Sequence, residues 1–462
     1  MAGIGFELNK MFKEKGLSGR VRGLGYSIAV IAGPLLLGMA FILVLSALAR
    51  AAGLRIFDRR LLVVSITYVI IASLFASGMI SLPLTRYVAD QLYLEKDEKV
   101  LPSLYGCLSI VLPAACLYYF IFLSLSHLPM TLILINLPIL AEMTSIFIVT
   151  NYLTAVRNYR GILLSYVLSI AGAFLGAVVL VALCGPSIYC FLLAVLIGYG
   201  IQLLTGLLLL ADYFPRGKGG YYEFLPWIRR YWRLPLIGTL NNIALFSHMF
   251  FMWNSDIGMR IRGFYYSAPQ YDIPSLYAYL ATLVTTIYFV TSAETNFYGK
   301  YARYYSSLNF GETIDEVREA REEMLITLWN DVLHCAIIQL LFTFGMISIG
   351  LTLFERMQPG FTMQMKNYYI LLSISYGIYA TGNMMTLYSM YFTDYNSVLI
   401  DSAVFAFSST LLTWISVRYH WVSYYGAGFM SGCFLFLVVS YIRLRKYTRD
   451  LNYEVRSLKP FI

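Results

Sequence analysis

The stretch TTIYFVTSAETNFYGKYARYY, residues 285–305, begins as apolar sequence and ends in tyrosines and cations. It reads as the end of a membrane helix. Apolar side chains suit hydrocarbon, whereas tyrosine, lysine and arginine collect where a helix meets water. One acid, Glu294, sits at the changeover. On a helix Thr291, Glu294, Tyr298, Tyr301 and Tyr305 share a face, at i, i+3, i+7, i+10 and i+14. Such a face fits an anchoring belt or the mouth of a path for a polar solute, and an anchor has no need of an acid.

The rest of the chain has the same character. Its 462 residues are 59% hydrophobic and 13% charged, with mean hydropathy +0.67, too little polar surface for a soluble domain of this length. Apolar runs of roughly 20 residues recur, each able to cross ~30 Å of hydrocarbon as a helix. The expected fold is an all-α polytopic membrane protein with about twelve transmembrane helices. Their centres fall near residues 36, 72, 112, 141, 172, 199, 244, 284, 342, 379, 406 and 433. With this count, 25 of the 34 Lys and Arg lie on the side holding both termini and 9 on the other. That bias predicts cytoplasmic termini. The exception is ARAAGLRIFDRR, 49–60, which places Arg50, Arg55, Arg59 and Arg60 outside. The net charge of +9 is therefore a topology signal and no pointer to nucleic acid.

Two halves echo each other. KGLSGRVRG (15–23) precedes the first span and PWIRRYWRLP (226–235) the seventh. LTRYVADQLYLEKDEKV (84–100) ends the second, and ETNFYGKYARYY (294–305), followed by GETIDEVREAREE (311–323), ends the eighth. The pattern predicts two pseudo-symmetric six-helix bundles, 19–213 and 234–445. A basic cytoplasmic linker over 214–233 joins them, and a cytoplasmic tail follows at 446–462. Repeats of this kind mark transporters with a path between the halves. Residues 1–18 read as an amphipathic interfacial helix with Ile4, Leu8, Met11 and Phe12 on one face, and not as a secretory signal.

Enzyme signatures are missing. There is no GxxxxGK[ST], PRGKGG at 215–220 being only a basic turn, and no HExxH. The four histidines are scattered, and the six cysteines have no metal-ligand spacing. Only Cys184 and Cys190, bracketing GPSIY, are placed to pair. No catalytic residue, metal ligand or cofactor is expected.

Polar residues inside spans are the remaining candidates, since they are costly there and usually functional. Glu142 in LAEMTSIFIV (140–149) lies mid-span, with Pro138 one turn before it and Ser145 one turn after. It reads equally as a cavity acid or as a structural glutamate between helices. Tyr376, Tyr379, Asn383 and Thr386 share one face of YYILLSISYGIYATGNMMTLYSMYF (368–392). Asn241 and His248 share one face of the seventh span. Aromatic faces, hydroxyls and amides suit neutral carbohydrate, although polar groups between helices also serve as glue. Asp401 in NSVLIDSAVF (396–405) sits at a depth similar to Glu294. The expected substrate pathway is Glu142, Asn241, His248, Glu294, Tyr298, Tyr301, Tyr376, Tyr379, Asn383 and Asp401, with Glu294 and Asp401 at a cytoplasmic entrance.

MAGIGFEL (1–8), LTRYVADQLY (84–93) and AETNFYGKYARYY (293–305) resemble the PelG family of inner-membrane exopolysaccharide transporters, over essentially the whole length. The resemblance implies the MOP flippase fold shared with MATE antiporters. It also implies export of Pel, a polymer rich in N-acetylgalactosamine. The partners it implies are a cytoplasmic glycosyltransferase and membrane subunits, one of them a cyclic-di-GMP receptor. It carries no residue-level motif. The first span has Gly33-Pro34 but no acid, unlike the first helix of many MATE antiporters. Two further readings stay open, a cation-coupled small-molecule antiporter of the MATE type and a lipid-linked oligosaccharide flippase. The flippase would want cations deep in a span to hold pyrophosphate, and none is found.

Overall fold

Inside hydrocarbon every backbone N–H and C=O has to be satisfied internally, and an apolar chain of this length answers with helices. The computed structural model describes residues 36–156, 159–215, 217, 219–310, 313–357 and 362–451, without the side chains of 155–156, 159–160, 294–295, 310 and 354–357. The interfacial helix expected over 1–18 and the tail from 452 lie outside the described residues.

The helices α1 (Leu36–Ala51), α2 (Ile56–Tyr93), α3 (Val100–Leu125), α4 (Met130–Val156), α5 (Tyr159–Cys184) and α6 (Ile188–Tyr213) run in succession. A short α7 (Leu225–Arg230) precedes α8 (Arg233–Trp253). An antiparallel hairpin of β1 (Met259–Arg262) and β2 (Tyr265–Ser267) follows. Then come α9 (Pro269–Tyr279), α10 (Thr282–Ser292), α11 (Tyr298–Phe310), α12 (Ile314–Met357), α13 (Met363–Tyr391), α14 (Tyr395–Arg418) and α15 (Ala427–Arg449).

Among the described residues ten segments are long and apolar enough to cross a membrane, α9 and α10 counting together as Pro269–Ser292. Two helices at expected span positions fall outside that set. The described part of α1 is short. The 29-residue α13 is more polar because it avoids lipid: no residue from Met365 to Met390 is exposed. The 38 residues of α2 and 44 of α12 span about 57 and 66 Å. Both exceed the hydrocarbon, so their charged ends run on beyond it.

The described chain forms two compact units. The first takes α1–α7, the start of α8 through Asn242, and the hairpin Gly258–Ala268. Its core includes Phe41, Phe191, Tyr199 and Tyr265, with a second cluster around Tyr87, Tyr152, Leu210 and Phe224. The second takes Ile243–Ile257 and everything from Pro269. A cluster there joins Phe289, Phe297, Tyr304, Met324, Met384, Tyr388 and Leu444. Within this unit α14 and α15 approach closely. A Cβ on Gly428 would lie 2.5 Å from the Leu412 O and Thr413 N, and one on Gly432 would lie 2.7 Å from Ser409 Cα. Glycine is what permits that contact.

The hairpin is an addition to the all-α expectation. Its strands are too short to show a pattern, and tertiary contact holds them. Tyr265 is fully buried, its hydroxyl 3.1 Å from that of Tyr119. Tyr68 Oη accepts the Tyr266 N–H at 3.1 Å and donates to the Phe264 carbonyl at 3.4 Å. Cys184 and Cys190 are both free, and Cys190 Sγ approaches the Gly185 carbonyl at 3.4 Å. Ser187 caps α6 there by accepting the Cys190 N–H.

Candidate functional site

In the first unit Glu142 is half-buried on α4 and points at α6 where glycine leaves the backbone bare; a Cβ on Gly200 would lie 3.1 Å from Glu142 Oε1. Glu142 Oε2 is buried with no hydrogen-bond partner among the described residues. Ser145 donates to the Ala141 carbonyl of its own helix at 2.7 Å. Asn241 is half-buried on α8. Its neighbour Asn242, which the sequence pattern passed over, makes the interhelical bond, Nδ2 donating to the Leu74 carbonyl of α2 at 2.7 Å. Asn151 on α4 donates to Ser81 on α2 at 2.8 Å.

The second unit holds a chain of buried polar groups. His248 Nδ1 lies 2.9 Å from Tyr271 Oη, and His248 Nε2 lies 3.4 Å from Tyr376 Oη, which in turn lies 3.2 Å from Ser275 Oγ. Phe429 packs on the imidazole at 4.2 Å. Both ring nitrogens are occupied, so His248 and Tyr376 brace α8, α9 and α13 and are closed to solvent. Tyr379 stacks on Phe405 and Phe436 at 24° to each. Thr386 Oγ1 meets Ser440 Oγ of α15 at 3.3 Å. The face read from the sequence is thus divided: Tyr376 and Thr386 are spent on packing, while Tyr379 and Asn383 are half-exposed. Asp401 departs from the vestibule position expected of it. It is fully buried beside Ser440, and neither carboxylate oxygen has a partner in hydrogen-bond geometry among the described residues.

At the helix exit α10 passes into α11 through a π-turn, Ala293–Phe297. Such turns insert one residue into a helix and are frequent at functional sites. Glu294 lies inside it, its side chain outside the described residues. Tyr298 is 43% exposed. Tyr301 donates to the Tyr391 carbonyl at 3.2 Å and packs on Tyr305 at 4.5 Å, and Tyr304 is fully buried. Most of the tyrosine belt therefore serves as core, with Tyr298 presented outward.

Asp331 was missed by the sequence reading. It is 5% exposed on α12 and accepts from Tyr388 Oη at 3.3 Å. Asp331, Cys335, Gln339 and Thr343 recur every four residues, a polar stripe on an apolar helix that was available as a signal. Gln339 uses its whole amide. Its Oε1 accepts from Thr285 Oγ1 at 2.6 Å, and its Nε2 donates to Thr343 Oγ1 and to the Ala281 carbonyl, each at 2.9 Å. Ala281 lies at the break between α9 and α10. A broken helix is tolerated at membrane depth when side chains take up the freed backbone; here Thr282 Oγ1 donates to the Tyr279 carbonyl at 2.8 Å, and Gln339 ties α12 to Ala281, the N-cap of α10.

No group of three or more His, Cys, Asp or Glu able to hold a metal is found among the described residues. Among the described residues the arrangement offers scattered hydroxyls, amides and aromatic faces. Residues 1–455 match a family described as "PelG: Putative exopolysaccharide Exporter (EPS-E)". The chain belongs to the PelG family. No curated protein matches it significantly. Solved structures with the same fold include MATE transporters. An outward-facing multidrug resistance MATE transporter of the MOP superfamily aligns with TM-score 0.63 at 13% identity, over 92% of this chain and 96% of that one. A variant of the Vibrio cholerae MATE transporter VcmN gives 0.65 at 12% identity, over 97% and 98%. A eukaryotic MATE transporter gives 0.56 at 15% identity, over 94% and 99%. The protein is thus a multi-pass membrane protein of an exopolysaccharide exporter family with a MATE-like fold.

Proposed function

We propose that this protein moves a growing Pel-like, N-acetylgalactosamine-rich polysaccharide from cytoplasm to exterior across the inner membrane, with both its termini cytoplasmic. The observation that carries the reading is the family match across residues 1–455. A cytoplasmic glycosyltransferase delivers the chain, and membrane subunits including a cyclic-di-GMP receptor control delivery. The bundles 19–213 and 234–445 are the working halves. A hydroxyl-rich polymer in transit needs many weak, replaceable contacts, because tight binding at one point would stall it. Half-exposed Tyr379 and Asn383, with Glu142 and Asn241, suit that role, and Tyr298 with Glu294 suits the cytoplasmic entrance. His248, Tyr301, Tyr376 and Asp401 act behind them as support.

The test is deletion with complementation. Cells lacking the protein should secrete no polymer while synthase activity in extracts persists. Glu294→Gln combined with Tyr298→Ala should restore export only partly at normal protein level. Unchanged export together with new sensitivity to cationic dyes would replace this reading by a MATE-type antiporter.

A further inference from the structure

The segment read as a basic linker is folded onto the first unit. Phe224 is 2% exposed, and Trp227 Nε1 donates to Asp90 Oδ2 at 2.9 Å. Lys99 Nζ meets Glu223 Oε2 at 2.7 Å, and Tyr222 Oη lies 3.2 Å from Ser109 Oγ of α3. Gly106 on α3 lets the Tyr221 backbone pass where any Cβ would strike its carbonyl. These contacts fix the depth of the segment. Ser109 lies about 14 Å along an α3 of about 39 Å, of which ~30 Å is needed for hydrocarbon. The segment therefore reaches from the start of α3, where Lys99 meets Glu223, to Ser109 about 14 Å along it, and so brackets a hydrocarbon boundary that falls within the first ~9 Å of α3.

Its apolar side is spent on protein, and its outward side is cationic and aromatic. Arg229 and Arg230 are exposed, and the Arg233 guanidinium stacks 4.9 Å over Trp232, which is 50% exposed. Tyr221 and Tyr222 are exposed alongside. Of the nearby acids, Asp90 is engaged by Arg86 at 3.2 Å and by Trp227, and Glu223 by Lys99. Neither Arg229 nor Arg233 has an acidic partner among the described residues. A topology signal requires only a count of cations. Here two guanidiniums without acidic partners among the described residues stand four positions apart, one of them over Trp232, in a segment that also exposes Tyr221 and Tyr222.

We propose that the α7 segment binds the phosphate of an anionic phospholipid through Arg229 and Arg233, with Trp232 and the Tyr221–Tyr222 pair beside the glycerol backbone. Each cation near an anionic surface contributes about fivefold in affinity, so losing both costs about twenty-five-fold. Full-length protein in detergent is titrated with phosphatidylglycerol and with phosphatidylcholine, and the first bound lipid is read by native mass spectrometry. Preference for phosphatidylglycerol should fall about twenty-five-fold in Arg229→Gln/Arg233→Gln. It should be largely kept in Arg229→Lys/Arg233→Lys, which retains charge and folding, and in the control Arg445→Gln/Lys446→Gln. An unchanged preference in the first pair, or an equal loss in the control, would overturn the assignment. So would displacement of the lipid by excess inorganic phosphate, which would make this a free-phosphate site.

Discussion

Replacing Gly432 by alanine tests the α14–α15 contact with one methyl group. Built on the existing backbone, that methyl lies 2.7 Å from Ser409 Cα, 2.8 Å from its N and 3.1 Å from its Cβ. Carbon atoms rest at about 3.5–4.0 Å, so the helices have to part by about 1 Å. The obstacle is backbone and cannot rotate aside. Ser409 is also tethered, its hydroxyl donating to the Ala244 carbonyl at 2.9 Å. Overpacking of this kind costs about 1–3 kcal/mol. Alanine in a helix interior returns about 1 kcal/mol, leaving a net loss of up to about 2 kcal/mol. Gly345→Ala in α12 is the matched control, since nothing lies within 4 Å of a Cβ there. It should stabilise by up to about 1 kcal/mol. Thermal unfolding in detergent should therefore rank Gly345→Ala above the parent and Gly432→Ala below it. Equal midpoints for the two variants would refute the close approach.

Three further outcomes are expected. Gln339→Leu removes three hydrogen bonds, two of which tie α12 to the start of α10, and this should cost about 1–3 kcal/mol in the same assay. Just past the C-terminal end of α8, Asp256 Oδ2 lies 2.6 Å from His420 Nδ1 and accepts from Tyr425 at 3.2 Å. The His420 hydrogen bond holds the Asp256 carboxyl below its ordinary range. A depressed carboxylate stabilises above its unfolded pKa and loses that contribution as pH falls through the folded value. Asp256→Asn should thus flatten the acid limb of a midpoint-against-pH curve, and an identical limb would sink the assignment. Finally, a cysteine at Tyr298, 43% exposed, should react with a soluble maleimide far faster than one at Tyr376, 4% exposed; equal rates would contradict the packing.

The spans were legible because an apolar run of membrane length has few alternatives. Polar α13 was legible as a helix but not as an interior one. Its Tyr376, Tyr379 and Asn383 periodicity gives a face, and only the neighbours α14 and α15 decide whether that face is packed or wet. The tyrosines at 298–305 show the same limit, since Tyr391 and Phe392 from another helix turn Tyr301 inward. Asp401 read like a vestibule acid because depth along a helix follows from sequence, whereas the side on which Ser440 lies does not. The π-turn at 293–297 and the break near Ala281 leave no local signature, because neither AETNF nor LATL (280–283) holds a proline or a glycine.

The hairpin has a consequence for biosynthesis. Residues 258–268 complete the first unit, yet the ribosome makes them after Ile243–Ile257, which belong to the second. Until Tyr265 emerges, Tyr68, Tyr119 and Phe122 wait without their cover. The halves are therefore assembled interleaved, and a gene split after Asn242 would give a first fragment lacking its last piece. A viable split has to lie beyond Ala268.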